Sequence, residues 1–136
     1  MNTPSKRAWV IQACLFHVDK VCNEMTMWLV EQGLTSCLFQ VELMAREALN
    51  NAIIHGSNLD PDRSVNCELQ FFEDQLRLTV QDDGPGFDWH SLLENEVVDS
   101  LQENGRGIQM YRFYADSIEF NPSGNQVTLV RRFKRN

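Results

Sequence analysis

Three short stretches of this chain combine residue types that can do chemistry. The first is Arg46-Glu47-Ala48-Leu49-Asn50-Asn51-Ala52-Ile53-Ile54-His55-Gly56. At 3.6 residues per turn, Glu47 and Asn51 fall one turn apart on the same helical face, opposite an apolar stripe. A carboxylate there can take up a proton or orient an attacking hydroxyl, and an amide oxygen is a hard ligand suited to Mg²⁺. A polar outer helix face explains such a pair equally well. The second stretch is Asp82-Asp83-Gly84-Pro85-Gly86-Phe87, straight after an alternating segment. Its glycines allow close approach of backbone to a ligand, and its carboxylate can accept a hydrogen bond from an exocyclic amine. A tight turn uses the same residues. The stretch lacks the third glycine of a dinucleotide fingerprint, and no G-K-[ST] of a P-loop occurs anywhere. The third is Gly105-Arg106-Gly107-Ile108, opening a helix. Backbone N–H groups at a helix start favour phosphate and Arg106 adds a bidentate donor, although a hinge into an ordinary helix reads the same way.

The elements that must position these residues follow from periodicity. Trp9 to Ile11 reads as an edge strand. Val18, Val21, Cys22, Met25, Trp28 and Leu29 recur at helical spacing, with Gly33 as the stop. Ser36 is placed to cap a second helix whose stripe is Leu38, Val41, Ala45, Ala48, Leu49 and Ala52. That helix runs to His55-Gly56, where the glycine is expected to take the left-handed terminal conformation. His55 reads as a structural residue of the helix end. Ser64 to Phe72 and Gln75 to Gln81 alternate around Glu73-Asp74, a hairpin. The polar stretch Trp89 to Asn104 is expected to hold a short helix and a loop, followed by a helix from Gly107 to near Ala115. Two last strands, Ser117 to Phe120 and Gln126 to Phe133, flank a turn at Asn121-Pro122-Ser123-Gly124. Helices first and a largely antiparallel sheet afterwards predict a two-layer α+β sandwich.

Composition bounds the function classes. With 136 residues, 43% hydrophobic and 23% charged, the chain is expected to be one globular domain spanning 1–136. Its net charge of −7 argues against unselective nucleic-acid binding. Twelve acids against two bases lie between Asp60 and Glu103, whereas Arg131, Arg132, Lys134 and Arg135 crowd the end, as a solvated strand end does. No apolar run approaches the roughly 20 residues of a membrane span. The polar start, Met1 to Arg7, reads as no secretion signal. Cys14, Cys22, Cys37 and Cys67 lack C-x-x-C spacing, so free thiols of a reducing cytoplasm are expected ahead of a disulfide or zinc site.

The order of the three stretches says more than any one of them. E-x-x-x-N on a helix, D-x-G-x-G after a strand and G-x-G before a helix resemble the N box and two glycine boxes of the GHKL ATPases. Within that superfamily, E-A-L-N-N-A-I-I-H-G, D-D-G-P-G-F and G-R-G-I-x-M are similar to the anti-sigma-factor serine kinases of bacterial partner-switching systems. The resemblance covers roughly Ser36 to Phe133 and implies the Bergerat fold, a mostly antiparallel sheet covered on one face by helices. It implies that Glu47 is the general base, that Asn51 ligates Mg²⁺, and that Asp82 recognises the adenine amine of ATP beside Gly84 and Gly86. Gly105 and Gly107 would be lid glycines over the phosphates, with Arg106 touching them and Trp89 to Asn104 forming the lid. The family usually carries Thr in its last hairpin. Here Gly124-Asn125-Gln126-Val127 puts Asn125 at that position, which implies altered rather than absent nucleotide binding.

The function so implied is an anti-sigma factor and Mg-ATP-dependent protein serine kinase, cytoplasmic, that phosphorylates an anti-anti-sigma (STAS) protein and sequesters a sigma factor. The resemblance also implies a homodimer formed through the N-terminal strand, where Trp9, Val10 and Ile11 would supply an apolar surface. The alternative is a nucleotide-gated binding module of the same fold without kinase activity, against which Glu47 speaks. A detached histidine-kinase domain is disfavoured because His17 and His55 have no H-E or H-D setting. A gyrase- or chaperone-type ATPase would need a transducer domain.

Overall fold

The computed structural model describes residues 5–86 and 110–133. In chain order the elements are β1 (Ser5–Gln12), a 3-10 turn (Leu15–His17), α1 (Val18–Glu31) and α2 (Leu38–Asn51). A π-helical turn (Ala52–Gly56) follows, then β2 (Ser64–Phe72), β3 (Gln75–Asp82), α3 (110–114), β4 (Ser117–Phe120) and β5 (Gln126–Arg132). The five strands form one sheet in the order β1-β2-β3-β5-β4, with every pairing antiparallel. The expected lid and its short helix, together with Gly105, Arg106 and Gly107, lie outside the described residues, as does the start of the helix assigned from Gly107.

Strand alternation sends one row of side chains from each strand into the core. Val65, Cys67, Leu69 and Phe71 of β2 and Leu76, Leu78 and Val80 of β3 are all buried. Against them lie Val18, Val21, Cys22, Met25, Trp28 and Leu29 of α1, which are the residues picked out by helical spacing. From α2 come Val41, Met44, Ala45, Ala48 and Leu49. The opposite face of the sheet presents polar residues such as Arg77, Thr79 and Gln81, so the described residues make two layers. Gly33 ends α1 with a φ of 78°, the left-handed geometry expected of a helix stop.

Three expectations need correction. The residue at the N-cap of α2 is Cys37, not Ser36, and its side chain makes no capping bond. Gly56 does not take a left-handed conformation; among the described glycines, only Gly33, Gly86 and Gly124 have positive φ. Trp9 faces inward, where its Nε1 donates to Glu24 Oε2 at 3.1 Å and ties β1 to α1. Of the apolar trio on β1, Val10 alone is strongly exposed, at 72%. Arg46, next to Glu47, reaches across to Asp19 of α1 and back to Glu42, a surface brace contributing about 0–1 kcal/mol. The four cysteines are free, and burial pushes the Cys22 thiol up to about 11, which makes it inert at neutral pH.

Candidate functional site

Asp82 ends β3 in the inward row that begins with Leu76, Leu78 and Val80. The period of two therefore delivers a carboxylate to the rim of an apolar face, where it is only 7% exposed. Its Oδ1 accepts from the Gly84 N–H at 2.7 Å. Burial raises the Asp82 pKa above the ordinary carboxylate range, the Gly84 bond opposes that shift, Asp83 adds to it and Arg63 lowers it. A carboxylate so poorly hydrated has accepting capacity for a ligand donor.

Close packing around Asp82 depends on two missing side chains. At Gly56 a Cβ would overlap the Asp82 carboxyl group, and at Gly84 it would overlap the Gly56 carbonyl. The end of the π turn thus packs directly on the start of the glycine loop. The π geometry helps: Ser57 N–H donates to Ala52 O at 2.8 Å, five residues back, which widens the last turn where it meets β3. Gly56→Ala is expected to push the carboxylate aside, costing about 1–3 kcal/mol by overpacking. Gly84→Ala should cost more, because it strikes backbone rather than a side-chain end. Thermal unfolding of the two variants checks the order.

The same α2 that leads into the π turn carries Glu47 and Asn51, both half-buried, one turn apart. The fold therefore brings Glu47 and Asn51 to the helix end nearest Asp82 and Gly84. Asn51 Nδ2 donates to Tyr111 Oη at 3.1 Å. Tyr111 is 2% exposed, and burial together with the charge of Glu47 keeps its phenol protonated, while the bond from Asn51 acts in the other direction. Among the described residues no cluster of three His, Cys, Asp or Glu side chains can hold a metal. With its nitrogen on Tyr111, Asn51 has its oxygen left to offer, a donor set that fits a hard cation shared with phosphate oxygens. His55 sits half-buried in the π turn, at the helix end as expected.

Asn125 acts on the loop and not on the carboxylate. Its Nδ2 donates to Gly84 O at 3.3 Å, and its backbone carbonyl accepts from Asp82 N–H at 2.9 Å. Asn125 Oδ1 in turn accepts from Asn121 Nδ2 at 2.5 Å and Ser123 Oγ at 2.9 Å. Asn121 Oδ1 takes the N–H groups of Gly124, Asn125 and Gln126. This turn holds the loop from the far side, and Gly86, at φ 85°, passes so close to Ser123 O that a side chain would not fit. Sequence reasoning overlooked Tyr111 and the packing of Gly56. The tyrosine is sixty residues from its partner, and nothing local marks it.

Comparison with known proteins agrees with this geometry. Residues 11–131 match the histidine kinase-like ATPase domain. The chain is 31% identical over 96 residues to an anti-sigma F factor of Clostridium perfringens, covering 68% of this chain and 69% of that protein. It is 27% identical over 101 residues to an anti-sigma F factor of Oceanobacillus iheyensis, covering 72% and 69%. To the serine-protein kinase RsbW of Bacillus licheniformis it is 27% identical over 103 residues, covering 70% and 64%. The family match spans most of the chain, and the five-stranded antiparallel sheet backed by helices is consistent with it: the chain belongs to the histidine kinase-like ATPase domain family and is a nucleotide-binding domain.

Proposed function

We propose that this protein is an anti-sigma factor with Mg-ATP-dependent serine kinase activity toward an anti-anti-sigma (STAS) partner. The observation that supports the reading is the packing of the π turn after Asn51 against the Asp82–Gly84 loop, which joins the end of α2, bearing Glu47 and Asn51, to the end of β3, bearing Asp82. Asp82 accepts from the adenine amine, and Gly84 and Gly86 let this loop pack on Gly56 and Ser123, which fixes where the carboxylate stands. Asn51 offers its amide oxygen to Mg²⁺. Glu47 takes the proton of the acceptor serine as that oxygen attacks the terminal phosphorus and the bond to the bridging oxygen breaks, so that ADP leaves. Bound Mg-ATP supplies the phosphoryl group and the neutralising charge. Gly105, Arg106 and Gly107 remain assigned to the phosphates by their motif alone.

The sigma factor is a partner by analogy with the named relatives, the STAS protein follows from the motif resemblance alone, and action on a sigma factor implies activity in the cytoplasm. No helix among the described residues is long and apolar enough to cross a membrane. Pairing of two copies is assigned to the edge strand β1, where Val10 stands out to solvent. The test is incubation of the purified protein with Mg-ATP and candidate STAS proteins, followed by phosphopeptide mass spectrometry. Phosphoserine on a partner, absent with Glu47→Ala, is the expected result. Tight nucleotide binding with no transfer to any partner would leave the nucleotide-gated binding module as the function.

A further inference from the structure

Asn51 has two chemically opposite ends on one planar group. Its amide oxygen can ligate a cation, whereas its NH₂ group repels one. The terminal torsion of asparagine is broad and roughly two-fold, so exchanging the two ends has little intrinsic cost. Something outside the residue must choose. A water-exposed amide samples both arrangements and loses metal affinity in proportion.

The hydrogen bond between Asn51 Nδ2 and Tyr111 Oη, 3.1 Å long, makes that choice. Tyr111 is buried on α3, against the core, so water cannot replace its hydroxyl. Its oxygen has lone pairs for the amide N–H, and its own proton remains available to an acceptor. We propose that Tyr111 is a positioning residue for the metal: its hydroxyl holds the Asn51 nitrogen, and thereby presents the Asn51 oxygen to Mg²⁺. The inference rests on the reading of Asn51 as a Mg²⁺ ligand.

Calorimetric titration with ATP, in Mg²⁺ and again in EDTA, tests it on the whole chain. Tyr111→Phe keeps the ring and removes the hydroxyl. Affinity in Mg²⁺ should fall about five- to tenfold, the worth of one neutral buried hydrogen bond, while affinity in EDTA stays unchanged. In an Asn51→Ala background, Tyr111→Phe should cause no further loss, since a residue acting through Asn51 has nothing left to act on. Equal losses in Mg²⁺ and EDTA, or an additive loss in that background, would overturn the proposal. If Asn51→Ala abolishes the Mg²⁺ dependence and Tyr111→Phe leaves it intact, the positioning role alone is wrong. If Asn51→Ala leaves the Mg²⁺ dependence intact, the ligand reading and the positioning role fall together. Should Tyr111→Phe not fold, the unsubstituted protein still decides. The Asn51 side-chain amide protons should exchange slowly by NMR with and without Mg-ATP, and exchange at the rate of an exposed asparagine in both states would overturn the proposal.

Discussion

Asn51→Ala is expected to lower Mg-ATP affinity to the level measured in EDTA, while Glu47→Ala keeps the affinity and loses phosphotransfer by about 10²–10⁴-fold, the usual worth of a general base. The two residues sit one turn apart on the same helix, so a general disturbance of α2 would affect both variants alike. Their chemistry differs. Alanine at position 51 removes the amide oxygen and strands the buried Tyr111 hydroxyl that receives its Nδ2. Alanine at position 47 removes a half-buried carboxylate to which the proposed mechanism gives no metal-binding role. Alanine is a good helix former, so neither change should unwind α2. Calorimetry with ATP on both variants, paired with a phosphotransfer assay, separates the roles. Unimpaired Mg-ATP affinity in Asn51→Ala would sink the assignment.

The second large effect concerns the base. Asp82 should give the protein a preference for ATP over GTP, because a carboxylate accepts from the adenine amine and repels the guanine carbonyl oxygen. Asp82→Asn should lower ATP affinity about ten- to a hundredfold, as expected for losing a hydrogen bond to a charged group, and should narrow or reverse the preference, since an amide NH₂ can face the guanine oxygen. Equal affinity of the unsubstituted protein for both nucleotides would remove Asp82 from this role. A pH dependence follows from the burial of this carboxyl. Its pKa is raised in the folded protein, so the ionised form that accepts from adenine is lost as pH falls through that raised value. ATP affinity should therefore decline on mild acidification, earlier than an ordinary aspartate would cause. The stability effect has the opposite sign: burying the charge costs folding free energy at neutral pH, and protonation relieves that cost. The thermal-stability difference between the nucleotide-free unsubstituted protein and Asp82→Asn, which isolates this group, should therefore shrink as pH falls.

The Gly56, Gly84 and Asn125 contacts bear on how the departure from the family's last hairpin is tolerated. With asparagine where threonine is usual, the side chain does not reach for the carboxylate but grips the carbonyl of Gly84. The loop is then held by the turn, and Asp82 by the Gly84 N–H. Altered nucleotide affinity remains the expectation, arising through loop position and not through a direct bond to the base-recognising group.

Everything that depends on neighbours a few residues apart was legible in the sequence. The buried face of α1 follows from helical spacing, because a helix fixes which side chains share a side whatever it packs against. The placing of Glu47 and Asn51 one turn apart follows in the same way from the period of 3.6, whereas Asp82, read as the start of the break after Gln81, proves to be the last inward residue of β3. The boundaries of β2, β3 and β4 agreed with their alternation to within a residue. The choice of Cys37 over Ser36 at the helix start, the inward turn of Trp9 and the true work of Gly56 were decided only by tertiary structure. So were the clamp of Asn125 on Gly84 and the bond between Asn51 and Tyr111. Each of these is a contact between atoms 15 to 60 residues apart, or a local choice settled by what presses on it. Gly56 is the clearest case: its position after a helix suggests a cap, yet what excludes a side chain there is a carboxylate arriving on β3, 26 residues later. Local sterics and hydrogen bonding set the periods, but only the packing of helices on the sheet determines which distant groups come within contact of one another.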